Sequence, residues 1–257
     1  MFRFTDDGSR FTWRAAFLLA VLVAIPSLSH AQADYAREKR WADEITPAIL
    51  VGDPIYLTQT SGHRFLALHA ASDQPKGQVI VVHGIGVHPD WGLVNTLRSA
   101  LAERGYTTLS IQMPVLAADA RPEAYAALFP EAASRLEAAM RFLRDRSPAK
   151  IAIVAHSLGA RMTDAFLTRT DAPPAAFVAI GLSGTFADPG VLRFPVLDLH
   201  GTADLSPVLQ AAPARAATLA RVRGSGQASI DGADHFFNGR QPDLVRAVAS
   251  FLDRALR

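Results

Sequence analysis

The chain contains no cysteine. That absence excludes disulfide bonds, a thiolate nucleophile, thiolate metal ligands and a lipid anchor attached through cysteine. No H-E-x-x-H or H-x-H pattern occurs among the histidines, so no metal centre is expected. Gly84-Ile85-Gly86 is followed by Pro89 where a third glycine of a dinucleotide loop belongs, and no phosphate-loop lysine follows; no nucleotide cofactor is expected either. Charge is nearly balanced at a formal +2 with no long run of one sign, which excludes a nucleic-acid footprint and a polybasic or acidic tail.

What is present begins with an address. Arg3, Arg10 and Arg14 precede the apolar run Ala15 to Ile25, and Pro26, Ser29-His30-Ala31 and Ala31-Gln32-Ala33 follow it. This reads as a secretory signal over residues 1–33, cleaved after Ala31 or Ala33. The apolar run is shorter than the ~20 residues of a bilayer-spanning helix, so no membrane span is expected to remain after cleavage. Asp6 and Asp7 interrupt the positive start, and an uncleaved N-terminal anchor is the alternative. The remainder, residues 34–257, is expected to be one domain in the periplasm or the medium.

That remainder alternates strands and helices. Residues 34–50 predict a short helix, and 54–57 and 64–69 a β-hairpin turning through Ser61-Gly62. Apolar or β-branched runs at 78–82, 107–111, 151–155, 176–182, 196–199 and 227–230 predict strands. Between them lie helical periodicities: Leu93, Leu97 and Leu101, with Asp90 as the expected cap and Gly105 as the stop; Leu136, Met140 and Leu143 within 131–144; 158–167; 211–219; and 243–256. The pattern predicts an α/β fold, a doubly wound, mainly parallel sheet with helices on both faces and an antiparallel N-terminal edge hairpin.

Four segments hold the chemistry. In Val154-Ala155-His156-Ser157-Leu158-Gly159 a serine sits where a buried strand turns into a helix. Such a turn lifts a hydroxyl above the sheet as a nucleophile; the competing reading is a serine that caps the helix. Asp204 follows the strand at 196–199, with Asp188 as a rival acid and a helix cap as its alternative role. His235 lies beyond the last strand. A serine, a later acid and a final histidine form a usable order, because the histidine takes the hydroxyl proton and the acid fixes its tautomer. Acyl transfer also needs amides aimed at the developing oxyanion; the residue after the nucleophile, Leu158, and Ile85 in the loop His83-Gly84-Ile85-Gly86 are the expected donors. His83, Gly84, Gly86, His156, Tyr125 and Phe129 are candidate pocket residues. His83 and His200 are expected to bond loop backbone, and His88 to be loop architecture.

Together these segments resemble the serine α/β-hydrolase superfamily over most of residues 50–257. The stretch His83-Gly84-Ile85-Gly86-Val87-His88-Pro89-Asp90-Trp91 resembles an uncharacterised bacterial, exported branch of it. The resemblance implies a Ser157–Asp204–His235 triad. Ala155 departs from the family's usual glycine. No insertion long enough for a large lid domain stands between Leu182 and Val196; the longest, 112–130, is expected to make at most a small cover. The expected function is cleavage of a carboxylic ester, less so an amide or thioester, with a small-molecule acyl substrate. The alternative is a non-catalytic binding protein of the cell envelope on the same fold.

Overall fold

The computed structural model describes residues 1–3 and 32–257; the export signal expected over residues 1–33 lies almost wholly outside the described residues. Eight strands form one sheet among them: β1 (Asp53–Thr58), β2 (Arg64–Ala70), β3 (Gln78–Val82), β4 (Thr107–Ile111), β5 (Ile151–His156), β6 (Ala176–Ile180), β7 (Val196–Gly201) and β8 (Gly226–Ile230). Their order is β1-β2-β4-β3-β5-β6-β7-β8. β1 and β2 pair antiparallel, as do β2 and β4. Every pairing from β4 to β8 is parallel.

The cause is visible in β3. Val79 and Val81 point to one face, Ile80 and Val82 to the other, the period of two that a pleated strand imposes. All its residues are buried, as a central strand covered on both faces requires. On one face Leu97 and Leu101 of α2 (Gly92–Glu103) and Val248 and Leu252 of α6 (Gln241–Ala255) cover Val79, Val81, Val154 and Val178. On the other, Leu136 and Met140 of α3 (Phe129–Arg144) and Met162 and Phe166 of α4 (Leu158–Leu167) cover Ile80, Val82, Ile153 and Phe177. α1 (Tyr35–Ile45) lays Ala42 and Ile45 on Leu66 and Leu68 of β2. α5 (Ser206–Leu219) closes the β7–β8 end.

Because β3 to β8 run the same way, their C-terminal loops gather at one rim of the sheet, where ligands of doubly wound sheets bind. Two buried ion pairs brace that rim. Arg215 Nε donates to Asp198 Oδ2 at 2.9 Å with both side chains fully buried, and Arg215 also reaches the carbonyls of Gly184 and Val208. Arg135, also fully buried, binds Glu38 of α1 and Glu131, and donates to the Gln112 carbonyl.

Several local expectations are corrected. Asp90 does not cap α2, which has no side-chain cap. The buried Arg98 claims its carboxylate instead, with Nε 2.8 Å from Asp90 Oδ1, because an unpaired guanidinium there would be costly. α5 starts at Ser206 rather than 211, since Pro207 lies in its first turn, where a missing N–H is harmless. β7 runs on to Gly201 and α3 begins at Phe129. Pro122–Leu128 form a 3₁₀ turn that sequence periodicity does not reveal.

Candidate active site

Ser157 is the whole connection between β5 and α4. Its backbone sits at φ 55°, ψ −122°, a conformation that costs an L-residue about 1–3 kcal/mol and must be imposed by its surroundings. They impose it: the Ser157 N–H donates to Ile180 O at 2.8 Å and its carbonyl accepts from Arg161 N at 3.1 Å. Gly159 is required, because a Cβ there would lie 2.2 Å from the His83 carbonyl oxygen. The hydroxyl makes no capping bond to α4; Oγ lies 2.8 Å from His235 Nε2. The helix-cap reading therefore gives way. Ala155 is fully buried, its methyl inside the core cluster, so the turn accommodates alanine where the family usually has glycine.

His235 and Asp204 are fixed by backbone. Asp234 Oδ1 accepts from the amides of Phe236 and Asn238, both at 3.0 Å, which shapes the loop that presents His235. Asp204 Oδ1 lies 2.6 Å from His235 Nδ1 and accepts from Leu205 N at 2.7 Å. Burial works against ionising Asp204, but the hydrogen bonds from His235 and Leu205 outweigh it and hold the carboxyl below its usual range. An ionised carboxylate only accepts, so Nδ1 carries the proton and Nε2 is the free acceptor facing Ser157. His156 backs this histidine, with Nε2 2.9 Å from the His235 carbonyl. Burial first, then the neighbouring His235, lowers His156 to about 4, so it is neutral near pH 7.

The loop after β3 faces the serine. A Cβ on Gly84 would lie 3.2 Å from the Ser157 Cβ. His83 is buried, and burial lowers its pKa to about 3, so its ring is neutral. Its Nε2 accepts from Met113 N at 2.8 Å, which places the proton on Nδ1, 2.8 Å from the Gly84 carbonyl. A trans peptide is planar with C=O and N–H opposed, so holding the Gly84 oxygen aims the Ile85 N–H the other way. Among the described residues neither the Ile85 nor the Leu158 amide has a hydrogen-bond acceptor.

Other expected residues lie elsewhere. His156, His83 and Tyr125 are buried and support the site from behind rather than line a pocket; the Tyr125 hydroxyl accepts from Leu116 N at 3.2 Å. Phe129 packs against the core. Gly86 lies beside Arg37 and Tyr125. His200 makes no hydrogen bond to a described residue through Nδ1, contrary to its expected backbone role, because β7 continues through it. Asp188 caps the 3₁₀ turn Pro189–Val191. His88 accepts from Asp90 N within its own loop. Sequence reasoning missed Arg37, which reaches the 83–88 loop from α1. It also missed Asp234, whose spacing to Asn238 was the available signal. Among the described residues no group of three or more His, Asp or Glu could hold a metal ion, and no helix is long and apolar enough to cross a membrane.

Comparison with known proteins bears on the fold. Residues 15–134 match the model of a family described as a protein of unknown function (DUF3530). No curated protein matches the chain by sequence. Among solved structures the chain is similar to an α/β serine hydrolase without a lid from Xanthomonas campestris, at 18% identity and a TM-score of 0.65, over 81% of this chain and 96% of that one. It is similar to Est1E from Butyrivibrio proteoclasticus at 15% identity and a TM-score of 0.63, over 79% and 98%. It is also similar to dienelactone hydrolase from Anabaena variabilis at 20% identity and a TM-score of 0.62, over 79% and 97%.

Proposed function

We propose that this chain of α/β-hydrolase fold is a serine hydrolase that cleaves carboxylic esters through an acyl-enzyme. One observation supports this above the others: a strained serine at a sheet rim gives its hydroxyl to a histidine, 2.8 Å away, whose other nitrogen is held by a buried carboxylate. Ser157 Oγ attacks the ester carbonyl carbon as its proton passes to His235 Nε2. The tetrahedral oxyanion is held by the amides of Leu158 and Ile85. His235 returns the proton to the leaving alcohol, and water repeats the sequence to release the acid.

The rim supports an apolar substrate. Ile85, Leu205 and Phe236 are large hydrophobic side chains exposed at 38%, 54% and 45%. Leu205 follows Asp204, Phe236 follows His235, and Ile85 lies in the oxyanion loop. The Trp91 ring meets Phe236 edge-on at 5.5 Å. Exposed apolar groups concentrated at one site mark a binding surface. The expected substrate is a small or flexible ester whose apolar part lies across these side chains.

We infer from the N-terminal pattern that residues 1–33 direct export, so the activity is expected in the periplasm or the medium. Of the two cleavage positions, the one after Ala31 retains Ala33, which is buried in the core cluster; intact mass of the secreted protein tests it. Turnover of p-nitrophenyl esters of rising acyl length tests the function. The expected result is hydrolysis that improves from acetate to a medium chain. A folded protein that hydrolyses none of them contradicts the proposal.

A further inference from the structure

We propose that Arg37 of α1 is a positioning residue for the oxyanion donor, clamping the Gly86 carbonyl and so fixing the loop that presents the Ile85 amide. The inference rests on the serine-hydrolase reading above.

The loop between His83 and Trp91 needs two anchors. His83 supplies one, at the Gly84 carbonyl. Beyond Ile85 the chain enters Gly86 at φ 66°, where glycine leaves both dihedrals soft. There is room on its side-chain face: a Cβ at Gly86 would meet nothing nearer than Arg37 Nη2 at 3.9 Å and the Tyr125 hydroxyl at 4.0 Å. The restraint is polar. Arg37 Nη2 donates to Gly86 O at 3.3 Å and Nη1 to Leu116 O at 2.7 Å. Among the described residues no other donor reaches the Gly86 carbonyl.

The guanidinium is itself held. Its Cζ lies 4.5 Å over the Trp41 ring, one helical turn on, and Trp41 meets His88 of the same loop at 5.7 Å. Asp34 caps α1 by accepting from Arg37 N at 2.9 Å, and its own N–H donates to Val115 O at 2.7 Å. Glu38 accepts from Val115 N and binds the buried Arg135. α1 is thus bolted to residues 115 and 116 on either side of the bond that Arg37 makes there. A planar fork bridging two carbonyls in fixed geometry is a task for arginine; a lysine ammonium has donors enough but sits on a flexible stem and fixes neither carbonyl as rigidly.

An oxyanion donor stabilises the transition state only if it is already in place, and misplacement by 1 Å costs about 10²-fold. Arg37→Leu, Arg37→Lys and Arg37→Ala should therefore lower kcat for p-nitrophenyl acetate by about 10- to 100-fold, with KM changed by less than about threefold. The rate of Ser157 phosphonylation by a fluorophosphonate should fall in parallel, and added guanidinium should restore part of the Arg37→Ala activity. Thermal midpoints separate this from loss of fold; if Arg37→Leu does not fold, Arg37→Lys, which keeps the charge, decides. A folded Arg37 variant with wild-type kcat overturns the clamp while leaving the hydrolase reading intact. A wild-type protein with neither turnover nor Ser157-dependent labelling overturns both.

Discussion

The two halves of the candidate site are built differently. The nucleophile half grows out of the sheet: Ser157, Asp204 and His235 stand on turns beyond β5, β7 and β8, Ser157 fixed by its N–H to the end of β6 and the other two by hydrogen bonds within their own loops. The oxyanion half is a glycine-containing loop held by side chains: its own His83 on the Gly84 carbonyl, with the Met113 amide fixing that ring, and Arg37 reaching Gly86 from α1. The nucleophile half therefore depends chiefly on residues close to it in sequence. The oxyanion half depends on positions far from the chemistry in sequence.

The largest effect should come from Ser157. Ser157→Ala should remove turnover by about 10⁴-fold or more while folding normally. Ser157→Gly should abolish activity and raise stability by about 1 kcal/mol, because glycine accepts the positive φ without strain; an unchanged or lower thermal midpoint would break the claim that the turn is strained. Next is the acid. Asp204→Asn should cost about 10³–10⁴ in kcat by unsettling the histidine tautomer, whereas Asp188→Asn should leave kcat unchanged; the reverse result would move the acid to the other loop.

The oxyanion half should yield intermediate effects. His83→Phe should lower kcat by about 10²-fold, and leaving the Met113 amide without its buried acceptor should lower stability by about 1–3 kcal/mol. Wild-type kcat in a folded His83→Phe would show that the loop needs no such anchor. The smallest effect on turnover concerns Glu38, where burial, against the pull of Arg135, pushes the carboxyl up to about 7. A carboxyl raised from about 4.3 in the unfolded chain contributes stability that is full below that value and lost as pH rises through about 7. Glu38→Gln should flatten this fall in thermal midpoint across that window; an unaltered slope would contradict the assignment.

The same difference decides what the sequence reveals. The sheet was legible because burial on both faces enforces continuous apolar runs such as Gln78 to Val82, and the antiparallel hairpin because Ser61-Gly62 marks its turn. Ser157, Asp204 and His235 were legible because each follows its strand locally and in a usable order. Which carboxylate stands beside His235 is a matter of distance: Asp204 Oδ1 lies 2.6 Å from it, while Asp188 accepts from the Gly190 amide. What stayed hidden lies beyond the local window: Asp90 looked like a cap because its claimant, Arg98, comes two helical turns later. Likewise nothing near Arg37 in sequence points to a carbonyl at Gly86. Charged side chains that bond distant backbone leave no periodic trace.

Whether Ser157 is the nucleophile is read from the intact mass of the protein after exposure to a fluorophosphonate, wild type beside Ser157→Ala, with the adduct mapped by peptide. A single phosphonyl group on Ser157 in the wild type and none in the variant is the expected result. A folded wild type that gains no mass, or a variant that still does, would contradict it.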